Sequence, residues 1–305
     1  METQKGQALL LVLLAMAVLA TISLSVASRS ISEVAVTTRE EESLRAFSAA
    51  EAGVEEGLIT ASQQEIATAA TPIPIERELT TTAPTGESTV STFTAEIDRY
   101  PTDLTKFAYP VELLSGQSGT VSFVTRDENG SVLSCSGSAP CFSGSSLTLC
   151  WGKQGGLESL TTAVITNIIY RDGAGDYALA TIGFDPVSTR RDVGTPPVAP
   201  NNFEAPSAGG CTIAGQDYVH RANIDFATLG VIGTPIMMRV APLYNTTEPQ
   251  LFGVSTAGNL PIQGRRVSSE GRAGEISRRI NAYLLNPEIP FIFDTALYSS
   301  SAITK

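Results

Sequence analysis

The hydrophobic pattern divides the chain into three stretches. Residues 8–27 carry no charge and hold seven Leu, three Val and one Ile. As a helix this run is roughly 30 Å long at about 1.5 Å per residue, the thickness of a bilayer's hydrocarbon core. Neither Pro nor Gly interrupts it, and its branched aliphatic side chains favour insertion by roughly 5 kcal/mol in total. Residues 28–61 turn polar and rich in Ala, Glu and Arg, with no proline before Pro72. Here Leu44, Phe47, Ala50, Val54, Leu58 and Ala61 recur at intervals of three and four, the mark of one apolar helix face. Ala49, Gly53 and Gly57 form a second stripe at intervals of four, where small side chains let a neighbouring backbone approach closely. Residues 8–61 are therefore expected as one rod of about 80 Å. Its first half is apolar all round and its second half is amphipathic.

Residues 62–88 are rich in Thr, Ala and Pro without a sustained period and read as a linker. Beyond them, short alternating runs dominate. TVSFVTRDENGSVLSC has a turn signal at residues 127–130, and TTAVITNIIYRDGAGDYALATIGF reads as a hairpin with its loop at residues 171–176. DYVHRANIDF, PIMMRVAPLY and EISRRINAYLL alternate in the same way. The expected class is α+β: a long N-terminal transmembrane helix joined to a mainly antiparallel, sandwich-like β head over residues 89–305. A Pro- and Gly-rich stretch over residues 187–210 interrupts the head, and a break near residue 195 is the expected boundary if it has two lobes.

Charge and rare residues narrow the function. The net charge is −11, shared as −4 over residues 1–61 and −7 over residues 62–305. Both parts are acidic, which argues against non-specific binding to nucleic acid or anionic lipid. His220 is the single histidine, so no zinc site built on several histidines can form. Cys135, Cys141, Cys150 and Cys211 lie well past the apolar run with no CxxC spacing. In an extracytoplasmic head they can pair in three ways. Closing Cys135 to Cys141 makes a small loop around Pro140 and leaves Cys150 for Cys211.

The remaining candidates read as structure rather than chemistry. Asp127, Glu128 and Asn129 lack the interleaved acids of a calcium loop, and Asp172 and Asp176 flank glycines as turn residues do. His220 alternates in register with Tyr218, Ala222 and Ile224, as a core or half-buried histidine would. No GxSxG elbow or paired carboxylates stand out. Arg265, Arg266, Arg272, Arg278 and Arg279 belong to strand-like segments, with Glu270 and Glu275 as expected partners. Trp151, the only tryptophan, is expected to pack beside a disulfide at Cys150. No catalytic residue, metal or cofactor is assigned, and the expectation is a protein that is not an enzyme.

Two features together resemble a known family. Lys5-Gly6 before the apolar run looks like a prepilin (class III) leader, and AFSAAEAGVEEGL, residues 46–58, resembles the AAEAG stretch of PilX-type N-terminal segments in minor pilins and pseudopilins. The resemblance covers about residues 1–61. The rest matches only in style, as a β-rich head ending in SRRINAYLLNPEIPFIFDTALYS. It implies a leader at residues 1–6, cut after Gly6 by a prepilin peptidase, and a mature chain whose Gln7 is N-methylated. It also implies a helix over residues 7–61 that leaves inner-membrane lipid for a type IV filament with an extracellular head. Its partners would be other pilins or pseudopilins, met through the N-terminal helix; the helix-packing residues, on its own domain below and among neighbouring helices above, are Leu11, Phe47, Ala49, Gly53, Val54, Gly57 and Leu58. An apolar helix leaves lipid only where other apolar helices replace the lipid contacts. Most major pilins carry Glu as the fifth mature residue, where this chain has Leu11. Minor pilins of this type, and the tip pseudopilin of type II secretion, similarly lack that carboxylate. Leu11 thus implies a tip or low-abundance subunit that primes assembly or mediates surface contact and cell adhesion. The rival readings are a membrane-anchored binding protein or adhesin that enters no filament, and a secreted β-protein cleaved near Ala27.

Overall fold

A computed structural model describes residues 4–63, 72–82, 86, 88–126, 133–134, 141–193 and 199–288. One helix, α1 (Gln4–Gln63), precedes all the strands. The strands, in chain order, begin with β1 (Ile73–Thr82), β2 (Ser88–Tyr100), β3 (Lys106–Ala108), β4 (Gly119–Ser122), β5 (Thr125–Arg126), β6 (Leu133–Ser134), β7 (Ser146–Lys153) and β8 (Ala163–Arg171). They continue with β9 (Tyr177–Phe184), β10 (Cys211–Ile213), β11 (Gln216–Asp225), β12 (Thr234–Leu243), β13 (Phe252–Ser255), β14 (Gly264–Ala273) and β15 (Ile276–Leu285). The architecture is α+β, one long N-terminal helix with a mainly antiparallel β head, as the hydrophobic pattern implies.

The chain forms two compact units. The first comprises Met1–Gly57, Pro74–Glu96 and Ser268–Asn281. In it α1 packs on a sheet of order β1-β2-β14-β15. The seated helix face is the small one: Ala46, Ala49, Ala50, Gly53 and Gly57 are buried. Phe93 and Ala95 of β2 close a small core with Ala49, and Ala52, Ile75 and Leu79 pack around it. The approach is close. A Cβ on Gly271 of β14 would lie 2.1 Å from the Ala46 carbonyl oxygen and 2.4 Å from the Ala50 nitrogen. A Cβ on Gly53 would lie 2.6 Å from the Phe93 ring. Polar contacts frame this seat: Arg77 donates to Glu56 at 2.9 Å, and Arg278 donates to the Ser43 hydroxyl at 2.7 Å.

Two expectations fail in this unit. The apolar face expected through Leu44, Phe47, Ala50, Val54, Leu58 and Ala61 is only partly covered: Ala50 and Ala61 are buried and Val54 and Leu58 half-buried, but Leu44 and Phe47 are 69% and 44% exposed. The reason is distance: where sheet and helix backbones nearly touch, only Ala and Gly fit between them, and the large side chains turn outward. The linker expected over residues 62–88 is also corrected, because α1 continues to Gln63 and residues 73–82 form β1. Only Ile73, Ile75 and Leu79 of that strand are part-buried. Its alternation is carried by three residues and is diluted by threonines and glutamates.

The second unit comprises Leu58–Ile73, Ile97–Val267 and Ala282–Lys305. Its two larger sheets, β10-β11-β7-β13-β3 and β4-β12-β8-β9, stand beside a two-stranded β5-β6 pair, and every pairing resolved within the larger two is antiparallel. Their inner faces share one core, a β-sandwich. Phe107, Leu149, Trp151, Ile224 and Phe252 come from the first sheet, and Val121, Ile168, Phe184, Met238 and Val240 from the second. The hairpin expected around residues 171–176 is β8–β9, with Arg171 paired to Tyr177. Asp172 shapes its turn by accepting from the amides of Ala174 and Asp176, each at 2.9 Å. The turn expected at residues 127–130 lies outside the described residues.

A boundary near residue 195 does not exist in this arrangement. The described segments on both sides of it belong to the second unit. Strands from the two halves interleave: β7 lies between β11 and β13, and β12 lies between β4 and β8. A Pro- and Gly-rich loop marks a connection, and only the pairing of distant strands decides whether it is also a boundary.

Candidate functional site

The site singled out by the sequence is the surface of α1. The helix is unbroken over 60 residues, and by length and composition it is able to cross a membrane. From Leu9 to Val26 every large apolar side chain is 49–73% exposed. Leu11 sits in this girdle at 65%. Gly6 and Gln7 lie in the first turns.

Five hydroxyl groups in and after the girdle are tied down locally. Thr21 donates to the Val18 carbonyl at 2.8 Å and Ser23 to the Leu19 carbonyl at 2.9 Å. Ser32, Thr37 and Thr38 repeat the pattern one helical turn back, each at 3.0 Å. Back-bonding of this kind lets a hydroxyl sit on an apolar helix without an unmet donor. Charge begins at Arg29, which pairs with Glu33 at 3.1 Å. The exposed side of the second half then carries Leu44 and Phe47 among Glu40, Glu41, Glu51 and Glu55. Thus Ala49 and Gly53 meet the sheet and Gly57 is buried, while Leu11 and Phe47 face outward and Val54 and Leu58 are half-buried. Sequence reasoning missed Ala46 and Gly271. A lone glycine inside an alternating strand is the available signal for close backbone approach at Gly271.

The cysteines follow the expected pairing where it is visible. Cys150 on β7 and Cys211 on β10 are bonded, with Cα atoms 6.3 Å apart. Cys141 is also disulfide-bonded, and Cys135 lies outside the described residues. The bridge at Cys150 packs with Ile213 and Tyr218. Trp151 does not pack beside it. Successive side chains on a strand point to opposite faces, so Trp151 enters the central core and donates its indole N–H to the Thr162 carbonyl at 2.9 Å. Replacing Cys150 and Cys211 together by serine is expected to cost roughly 2–4 kcal/mol, since the bridge closes a long loop in the unfolded chain. Urea unfolding of the double variant, read beside the parent protein, measures this.

His220 is half-buried on β11, beside Trp151 with ring centroids 5.3 Å apart. Its Nε2 lies 2.9 Å from the Ser159 carbonyl oxygen. A carbonyl only accepts, so Nε2 carries the proton. Burial pushes the histidine below its ordinary value of 6.5, which favours the neutral ring. The same segment is held at Glu158, whose carboxylate accepts from the Thr247 and Glu248 amides at 3.1 and 2.8 Å and from the Thr246 hydroxyl at 3.1 Å. The Glu248 amide foremost, with these other donors, depresses the Glu158 carboxyl to about 2.

A third network surrounds Asp185, which is fully buried. Its oxygens accept from Arg190 at 2.6 and 2.9 Å, from the Asn201 amide group at 2.7 Å and from the Val187 N–H at 2.9 Å. Burial pushes this carboxyl up, but the Arg190, Val187 and Asn201 hydrogen bonds together hold it below its ordinary 3.8. Arg190 also donates to the Thr161 carbonyl and lies 4.1 Å over the Tyr244 ring. All the groups in this network are mutually satisfied, and it links the end of β9 to the segment beginning at residue 199.

Several arginines find partners nearby. Arg272 and Arg279 both bind Glu270 at 2.7 Å, and Arg266 binds Asp98 at 2.7 Å. The expected partnership with Glu270 holds. Arg278 contacts Ser43 rather than Glu275. Among the described residues, no group of three His, Cys, Asp or Glu is placed to hold a metal ion. No family model matches the chain, and no match was found among curated proteins or solved structures. The geometry of α1 and the head therefore carries the functional reading.

Proposed function

We propose that this chain is a non-enzymatic subunit of a type IV filament system, a minor pilin or pseudopilin-like protein assembled through α1. A single observation carries the reading. One continuous helix presents an uncommitted apolar girdle at its start and is seated by its small face on a sheet further along. A discarded signal needs no such continuation, and a simple anchor needs no seat of this kind. In this reading a prepilin peptidase cuts after Gly6, and residues 8–27 rest in inner-membrane lipid until neighbouring helices replace that lipid. The head then faces outward in the extracellular filament. Leu11 brings no carboxylate to meet the terminal amine of an adjoining subunit. An unpaired amine in an apolar core costs on the order of 3 kcal/mol on insertion scales, which favours a tip or low-abundance position over a repeating shaft.

The intact mass of the mature protein, taken from membranes and from sheared surface fractions, tests this. The expected chain begins at Gln7. A chain that keeps Met1 supports a plain membrane-anchored binding protein, and one that begins near Ser28 supports secretion. Either result would refute the filament reading.

A further inference from the structure

Among the described residues, the outer edge of the β4-β12-β8-β9 sheet is open along the first part of β9, and its neighbours show how unusual that is. β3 and β10, the edges of the other sandwich sheet, are three residues long each. At the opposite edge, the backbone of β4 is covered by side chains. Gln263 takes both the amide and the carbonyl of Ser122, at 2.7 and 2.9 Å, and Glu288 accepts from the Thr120 amide at 3.3 Å. β9 is eight residues long, YALATIGF, with no Lys, no Pro and no shift in its register with β8. Proteins normally blunt an edge with such devices.

The pairing of Glu204 reveals which backbone groups β9 presents. The Glu204 amide donates to the Gly183 carbonyl at 2.8 Å, and the Asp185 amide donates to the Glu204 carbonyl at 2.9 Å. This parallel bridge covers the far end of the edge, and the Phe203 ring lies where a Cβ on Gly183 would sit. A strand residue points its N–H and C=O to the same side, and alternate residues share that side. Gly183 and Asp185 face outward, so Leu179 and Thr181 do too. Among the described residues no strand pairs with them. The side chains of Tyr177, Leu179 and Thr181 are also exposed, Tyr177 at 68% and Leu179 at 57%.

We propose that β9 is a strand-addition site for an extended segment of another protein. The segment carries apolar or β-branched residues at alternate positions and Lys or Arg at its ends. Backbone pairing along residues 177–181, the part of the edge that the Glu204 bridge leaves uncovered, supplies register, and the exposed Tyr177 and Leu179 supply the apolar contact. The basic ends follow from charge. Asp172 and Asp176 stand at one end of the edge with Arg171, and Glu204 stands at the other. A second copy of this chain fits less well, because antiparallel self-pairing brings acidic end to acidic end. Two such short strands also bury well under the roughly 1,000 Å² that a stable interface needs. The inference does not depend on the filament reading.

The test uses full-length protein in zwitterionic detergent micelles and the fluorescent peptide KVTVTVTK, followed by anisotropy at low salt with empty micelles as the blank. Saturable binding is expected. Leu179→Pro should weaken it more than tenfold while leaving the melting temperature nearly unchanged, because the Leu179 N–H points away from β8 and proline is tolerated there. The peptide EVTVTVTE should bind at least fivefold more weakly. Should Leu179→Pro fail to fold, KVTVTVTK with N-methyl groups on alternate amides supplies the same comparison, and loss of binding is again expected. Any of three results overturns the proposal: no saturable binding, equal binding by variant and parent (or by methylated and unmethylated peptide), or a dimer of the protein that Leu179→Pro dissolves.

Discussion

Gly271→Val is expected to loosen α1 from its sheet and to lower stability by about 3 kcal/mol, the upper part of the range for overpacking. The atoms in the way are backbone. A Cβ at 2.1 Å from the Ala46 carbonyl oxygen and 2.4 Å from the Ala50 nitrogen cannot be relieved by turning a side chain. Either the helix lifts or the strand bends. At Gly53 the obstacles are the Ser269 hydroxyl and the Phe93 ring, at 2.2 and 2.6 Å, which are side-chain atoms rather than backbone. Gly53→Ala should therefore cost less, about 1 kcal/mol. Thermal unfolding ranks the two variants, and limited proteolysis reads the helix directly, since a lifted α1 exposes the bonds around residues 46–57. Equal melting of Gly271→Val and the parent protein would mean that helix and sheet do not approach as closely as described.

Asp185→Ala is expected to be the most damaging single change in the sandwich, at about 3–5 kcal/mol, the cost of leaving a buried charge without its partner. Arg190, with its side chain only 24% exposed, would lose its carboxylate, and the Asn201 and Val187 donors would lose their acceptor. Asp185→Asn keeps an acceptor for Arg190 but turns an amide donor toward a neighbour, so roughly half that loss is expected. The pH dependence has a definite sign. A carboxyl held below its ordinary 3.8 in the folded chain contributes stability that is full above that value and is lost as pH falls through its lower folded value. Denaturant unfolding of the parent should weaken on the acid side of pH 4, and Asp185→Asn should flatten that dependence. If the two curves stay parallel, Asp185 is not the group responsible.

His220 adds a milder term with the same direction. Its folded value is depressed by burial, so the folded chain resists protonation. Stability then erodes as pH falls below 6.5, the ordinary value.

Local patterns made much of this legible. The span of the apolar run needs no partner to be read, because twenty uncharged residues of this composition bury themselves in whatever apolar medium is offered. The β8–β9 hairpin was visible because Asp172, Gly173 and Gly175 interrupt two alternating runs. The bond between Cys150 and Cys211 was expected because closing Cys135 to Cys141 as a small loop leaves those two for each other. Interactions that join distant segments were not legible. Nothing near Asp185 in the sequence announces Asn201 or Thr161 as its surroundings, and nothing near Ser122 announces Gln263. The edge at β9 became visible only when its neighbours were known.

By itself, the amino-acid sequence determined the class of the fold, the length and continuity of α1, its apolar girdle, the alternation of the head strands and the acidic balance. These are properties of short windows, set by side-chain hydrophobicity and backbone preference. The tertiary structure decided which face of α1 is seated, that residues 73–82 are a strand, that residue 195 is no boundary and that Trp151 turns away from the disulfide. Each of those outcomes depends on the shape of a partner far along the chain. Leu44 and Phe47 are the better hydrophobes, yet Ala46, Ala49 and Gly53 take the interface because Gly271 brings the sheet too near for anything larger.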